Sequence, residues 1–171
     1  MKGSGRITRA ISCHAWSPDY SQIALSPNSD DVLIYETDTG DASGWKLLHT
    51  LPEHDSFVSG IDWSPSNTIV TCGHDRNAYV FSFDGKEWKP TLVIVRISRA
   101  ATAVKWAPSG AKFAVTSAAK VVSVCHYEED NNWWVSKLIR GHKSTVVALD
   151  WHPNSKVHFF RDFFLILGSS L

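Results

Sequence analysis

Along the chain, apolar and polar residues alternate in short runs, each ended by a cluster of turn formers. Residues 57–63 (Phe-Val-Ser-Gly-Ile-Asp-Trp) change character every one or two positions, which predicts a half-buried strand. Ser64-Pro65-Ser66-Asn67 follows with turn chemistry: short polar side chains bond their own backbone, and proline presets φ. Residues 68–72 predict a short apolar strand, Gly73 to Arg76 a tight turn and residues 77–83 a third strand. Asp84-Gly85 is a hairpin signal, and residues 88–95 complete a set of four. The plan recurs in residues 103–106, 112–116, 121–127 and 133–139, with the polar loop Glu128-Glu129-Asp130-Asn131-Asn132 replacing the hairpin turn. It also fits the segment from residues 11–16 to 45–51. No stretch keeps apolar residues at helical spacing for more than about a dozen positions, so the expected fold class is all-β.

The sets repeat with a fixed period. Four Trp-x-Pro triplets begin at Trp16, Trp63, Trp106 and Trp151, spaced 47, 43 and 45 residues. A second series, Trp45, Trp88 and Trp133, runs at 43 and 45; of the eight tryptophans, Trp134 alone falls outside both. A period of about 40–45 residues carrying four short strands is that of a WD-repeat β-propeller blade. The chain therefore predicts a partial propeller. Three full blades and the first strand of a fourth occupy residues 1–155, and residues 156–171 form a divergent apolar tail.

Charge and cysteines narrow the function classes. Seventeen basic residues balance seventeen acidic ones. That leaves no cationic surplus to favour nucleic acid or an anionic membrane. The longest apolar run, Phe163-Phe164-Leu165-Ile166-Leu167, is far shorter than the ~20 residues of a membrane span. The first six residues hold no apolar leader core. Cys13, Cys72 and Cys125 are scattered and odd in number, which fits free thiols in a reducing cytoplasm.

Candidate chemistry centres on His54, Thr71 and Asp75. A nucleophilic site would need the histidine within reach of the hydroxyl and the acid behind it. The competing reading is structural: in WD repeats a histidine before the first strand pairs with an aspartate in the second-to-third turn and holds the blade together. His54 and His142 each lie nine residues before a Trp of the first series, and Asp75 lies in the turn. The structural set is thus His54, Asp75 and His142 with Trp16, Trp63, Trp106 and Trp151. Gly73 stands where such repeats usually carry a hydroxyl, and Phe81 where they usually carry tryptophan. The first and third repeats open instead with Arg6-Ile7-Thr8-Arg9-Ala10 and Arg96-Ile97-Ser98-Arg99-Ala100, 90 residues apart. Propeller partners meet loops on the faces of the ring. Arg6, Arg9, Arg76, Arg96, Arg99 and Arg140 are accordingly candidate partner contacts, with solvated loop ends the plain alternative. No phosphate loop, HExxH motif or metal-spaced His/Cys pair occurs, so no metal, cofactor or catalytic residue is expected.

Several strings are more specific than the repeat. Ile11-Ser12-Cys13-His14-Ala15-Trp16, Asp75-Arg76-Asn77-Ala78-Tyr79-Val80, Trp88-Lys89-Pro90-Thr91-Leu92-Val93-Ile94 and Leu149-Asp150-Trp151-His152-Pro153-Asn154-Ser155 resemble the family of subunit 1 of the actin-related protein 2/3 complex. The likeness runs in register over about residues 7–155. It implies a seven-bladed propeller and a non-catalytic scaffold role in a cytoplasmic, cytoskeletal assembly that nucleates branched actin filaments. It implies as partners the other complex subunits, the actin filament and nucleation-promoting factors. After Ser155 the pattern is lost, which reads as a C-terminally truncated product with an unpaired strand near Trp151. A WD-repeat adaptor of another cytoplasmic complex, a product without function and a Thr-His-Asp enzyme are the rival readings.

Overall fold

The computed structural model describes residues 10–37 and 44–154, together with the backbone of two further strands within 158–166. The first sheet comprises β1 (Cys13–Trp16), β2 (Gln22–Ser26), β3 (Val32–Glu36) and β4 (Lys46–Leu51). The second comprises β5 (Val58–Trp63), β6 (Thr68–Gly73), β7 (Ala78–Phe83) and β8 (Trp88–Val93). The third comprises β9 (Ala101–Trp106), β10 (Lys112–Ser117), β11 (Val121–Glu128) and β12 (Trp133–Ile139). Each is an antiparallel meander in chain order, and a fourth sheet holds β13 (Val146–Trp151), β14 (His158–Asp162) and β15 (Leu165–Ile166). These sheets are the blades of a partial β-propeller, stacked through their first strands: β1 against β5, β5 against β9 and β9 against β13.

The turns form where the sequence places them. Ser17 and Ser64, the middle residues of two Trp-x-Pro triplets, accept the backbone N–H of Gln22 at 2.9 Å and Thr68 at 3.0 Å through their hydroxyls. Trp63 donates its indole N–H to Asn67 at 2.8 Å, and Asn67 adopts φ +61°, which asparagine tolerates better than most residues. Each Trp-x-Pro triplet thus ends an inner strand and starts a tied-down turn.

The core lies between blades. Ala15, Ile34, Val58, Ile61, Trp63, Phe81 and Trp88 fill the first gap. Val80, Val93, Val104, Trp106, Phe113 and Val115 fill the second, and Ala107, Ala114, Val122, Val146 and Trp151 the third. Because each inner blade is covered on both faces, β6 is buried from Ile69 to Gly73 without alternation. Burial on both faces gives a strand the continuous apolar run seen there in sequence.

Two expectations need correction. The strand at Trp151 is paired: His158–Asp162 runs antiparallel to β13, with Trp151 opposite His158. An exposed inner strand is an edge that accepts extended chain, and the aromatic-rich segment beyond Ser155 has the composition to supply it. The second tryptophan series is also displaced by one residue in the third blade. Trp134, not Trp133, packs against Trp106 (5.7 Å between ring centroids), Phe113 (5.0 Å) and Tyr127 (5.5 Å), whereas Trp133 is exposed. Tyr127 pairs with Trp134 as Phe83 pairs with Trp88 in the second blade. The loops 84–87 and 129–132 are equally long, but the β11–β12 hairpin carries one pair more, Glu128 opposite Trp133, so Trp134 falls opposite Tyr127. Neighbouring residues of a strand face opposite sides, so Trp133 points away from the cluster.

Candidate functional site

His54, Thr71 and Asp75 form a continuous buried chain of hydrogen bonds. His54 Nδ1 lies 2.8 Å from Asp75 Oδ2, and His54 Nε2 lies 2.8 Å from the Thr71 hydroxyl. Asp75 also accepts the backbone N–H groups of Asp55 (3.2 Å) and Asn77 (3.1 Å), so it joins the segment before β5 to the β6–β7 turn. The expected His54–Asp75 contact is present, but its setting differs from the sequence reading. Thr71, two residues earlier than the position read as lacking a hydroxyl, supplies the hydroxyl. Tyr79, not Phe81, sets its ring edge-on to His54 at 4.9 Å. Gly73 is glycine because a Cβ there would lie 2.9 Å from both Asp75 Oδ1 and His54 Nδ1. In the third blade, Ser117 occupies the matching place. It pairs with Ala101 as Gly73 pairs with Val58, and its hydroxyl donates to the carbonyls of Arg99 and Ala100. The histidine–aspartate pair and the serine hydroxyl are two solutions for pinning the same turn.

Geometrically the three residues match a hydrolytic triad. Thr71 has no accessible surface, however, and His54 is buried. A hydroxyl without a path to solvent cannot meet a substrate, whatever its hydrogen bonds.

The sequence reading missed the joints between blades. Ser12 donates its hydroxyl to the Val58 carbonyl at 2.9 Å, Ser59 to Ala101 at 2.8 Å and Thr102 to Val146 at 2.5 Å. The donors are spaced 47 and 43 residues, the same spacing as the first Trp series, so a search for hydroxyls in that register finds them. Asp62 adds a further link between the second and third blades, accepting the Trp106 backbone N–H at 2.6 Å. Burial pushes its carboxyl above the ordinary range, opposed by the Trp106 N–H and the Lys105 charge.

Of the six candidate arginines, Arg6 and Arg9 lie outside the described residues. Arg76, Arg96, Arg99 and Arg140 are all exposed. The structure brings two of them together: Arg76 and Arg96 line one open groove of about 240 Å³ with Asn77, Leu92 and Ile94. Leu92 and Ile94 are themselves exposed. Both arginines hold positive φ, +71° and +56°, a region that non-glycine residues seldom occupy. Arg99 and Arg140 are not part of this groove. His142 follows Gly141, whose φ is +112°.

The thiols are free and withdrawn. Burial pushes Cys72 and Cys125 up to about 12 and Cys13 up to about 11. Since the thiolate is the reactive form, Cys72 and Cys125 are expected to resist a disulfide reagent at pH 8 until denaturant is added. Rapid reaction of all three thiols in the native chain would contradict this. Among the described residues no group of His, Cys, Asp or Glu side chains could hold a metal ion.

Known proteins place these features in a family. The family described as "WD domain, G-beta repeat" matches residues 45–82 and 133–169. Actin-related protein 2/3 complex subunit 1A of Arabidopsis thaliana is 57% identical over 152 residues, which is 88% of this chain and 40% of that protein. Subunit 1A-A of Xenopus laevis is also 57% identical, over 87% of this chain and 40% of its own length. Subunit 1 of Saccharomyces cerevisiae is 47% identical over 86% of this chain and 38% of its own. The chain thus spans about 40% of the length of these relatives. With the blade architecture and this identity across nearly all its residues, the chain belongs to the WD-repeat family of subunit 1 of the actin-related protein 2/3 complex.

Proposed function

We propose that the chain acts as a non-catalytic scaffold of the actin-related protein 2/3 complex, in the cytoplasm and on the cytoskeleton. In this reading it supports nucleation of branched filaments through contacts with other complex subunits, the actin filament and nucleation-promoting factors. Residues 1–155 supply three blades and the first strand of a fourth, and within residues 156–171 the strands His158–Asp162 and Leu165–Ile166 add to that fourth sheet. The relatives' names support the assembly, and the inaccessibility of Thr71 supports a structural role for His54 and Asp75.

The observation that carries the contact site is the groove holding Arg76 and Arg96 beside exposed Leu92 and Ile94. Two cations flanking apolar surface suit a partner with acidic and apolar side chains, since interfaces combine desolvated anchors with charge complementarity. Both arginines are solvent-facing, so their substitution leaves the core intact.

The test is co-expression of the tagged 171-residue chain with the remaining complex subunits, followed by purification on the tag. The wild-type chain should retain the other subunits. The Arg76→Glu/Arg96→Glu chain should retain them, or an added nucleation-promoting factor, at least about tenfold less, as charge reversal at paired sites costs more than 1.4 kcal/mol. Retention unchanged by the double substitution would remove the groove from the interface. Failure of the folded wild-type chain to retain any subunit would overturn the scaffold reading.

A further inference from the structure

In the first three blades the inner strand ends in a tryptophan, and the residue four positions on closes the turn. Tyr20, Asn67 and Gly110 bond back through their N–H groups to Ser17, Ser64 and Ala107, with φ of +60°, +61° and +69°. In the second blade this residue also serves the ring, because Asn67 Oδ1 accepts the Trp63 indole N–H at 2.8 Å. In the third blade glycine offers no side chain, and the Trp106 indole N–H is buried without a hydrogen-bond partner. Trp88 is the only other buried side-chain donor or acceptor so left among the described residues. An indole nitrogen can only donate, and a buried donor without an acceptor is a standing cost to the fold.

Trp106 and Gly110 line an open cleft of about 460 Å³ between the second and third blades. Ligand sites run to ~300–1,000 Å³, so the cleft has room for an occupant. Its second-blade wall carries the hydroxyl residues Ser66, Thr68, Ser82 and Thr91. Its third-blade wall carries Tyr127, Glu129 and Trp134. Tyr127 is 42% exposed, and Trp134 is half-buried against Trp106. Glu129 is the one charged residue among those lining the cleft. The hydroxyl wall crosses from β6 to β8, ~10 Å at the usual spacing of neighbouring strands. None of these residues lines the groove of Arg76 and Arg96.

We propose that this cleft binds a proline-rich peptide in the polyproline II conformation, with one peptide carbonyl accepting the Trp106 indole N–H as Asn67 accepts that of Trp63. Proline has no N–H, and a polyproline helix makes no internal hydrogen bonds. Its carbonyls are therefore open acceptors, suited to a wall of hydroxyls and a buried indole donor. At ~3.1 Å per residue, three or four residues cross the ~10 Å from β6 to β8. Proline rings pack on Tyr127 and Trp134, the kind of aromatic surface such helices recognise. The carbonyl reaches the N–H by turning aside the exposed Ser66 side chain, whose hydroxyl lies 3.3 Å from the place of a Cβ on Gly110. Glu129, with no cation beside it in the cleft, selects a basic residue next to the prolines and repels acidic peptides. This inference goes beyond the scaffold reading and does not depend on it.

Proton–nitrogen correlation spectra of the isotope-labelled 171-residue chain test the proposal, with an oligoproline ending in arginine as the probe. Trp106→Phe identifies the Trp106 indole resonance by its loss. On titration with the peptide that resonance should move downfield, as an N–H does on gaining an acceptor. Gly110→Asn places an acceptor within the chain at a positive φ that asparagine tolerates. Its Trp106 resonance should lie downfield before any peptide is added, and the peptide should bind at least about tenfold more weakly. Tyr127→Ala, which removes an exposed ring, should weaken binding by a similar factor. Circular dichroism reports whether each variant is folded. A Trp106 resonance that stays in place in the folded wild-type chain at millimolar peptide would overturn the proposal. So would an affinity unchanged by both Gly110→Asn and Tyr127→Ala. Equal binding of a glycine–serine peptide ending in arginine would also overturn it, since the prolines would then play no part.

Discussion

Replacing His54 with alanine is expected to destabilise the chain by about 3 kcal/mol, the cost of leaving a buried carboxylate and a buried hydroxyl without their shared hydrogen-bond partner. The substitution strips Asp75 Oδ2 of its side-chain partner and leaves the Thr71 hydroxyl facing an empty space. Asp75 keeps the N–H groups of Asp55 and Asn77, which holds the cost at the low end of the range. In a chain of this length the thermal midpoint should fall by about 10 °C. Thr71→Val, which removes only the hydroxyl bond, should cost about 1–2 kcal/mol. Equilibrium unfolding of the three proteins measures both values. A His54→Ala chain as stable as the wild type would mean that the chain of bonds is incidental to the fold. An ester-hydrolysis rate that disappears with His54 while stability stays unchanged would revive the enzymatic reading.

The adjacent tryptophans give the second large effect. Trp134→Ala is expected to cost about 2–3 kcal/mol, somewhat below the ~3–5 of a fully buried aromatic because its ring is only half-buried. Its ring closes an aromatic cluster with Trp106, Phe113 and Tyr127, and edge-to-face contacts add to area burial. Trp133→Ala removes an exposed ring and should change stability by less than about 0.5 kcal/mol. Urea unfolding of the pair decides the matter. Equal losses, or a larger loss at Trp133, would put the register of β12 one residue out.

The period was the most legible feature of the chain. Two interleaved tryptophan series marked the blades, and the strands read for the second and third repeats lie within about two residues of β5–β12. This worked because a blade needs a large ring at the end of its inner strand and a tied turn after it, and both demands fall on residue identity. What escaped notice depended on geometry between segments. Trp133 fits the spacing and Trp134 fits the sheet, and only the extra Glu128–Trp133 pair of the β11–β12 hairpin decides between them. Thr71 was seen as part of a possible triad but not as the hydroxyl that completes the structural set. Its position relative to His54 is fixed by strand pairing, not by a motif. Ser12, Ser59 and Thr102 carried a periodic signal that went unread, because serine and threonine are too common in strands for a single one to stand out. The clustering of Arg76 with Arg96 was likewise invisible in sequence: the residues lie twenty positions apart and meet because β7 and β8 bring their ends together.

The joints between blades have a one-sided grammar. On the donor side the residue must carry a hydroxyl, as Ser12, Ser59 and Thr102 do. On the acceptor side the bond ends on a backbone carbonyl, and the side chains there are valine, alanine and valine. Every residue brings a carbonyl, so acceptor positions are free to drift within the limits of size. Each blade can therefore change the face it shows to its predecessor without a matching change in that neighbour. A tandem array held this way accumulates sequence differences between copies while keeping its period. The four repeats of this chain, alike in spacing and in little else, are the outcome such a joint permits.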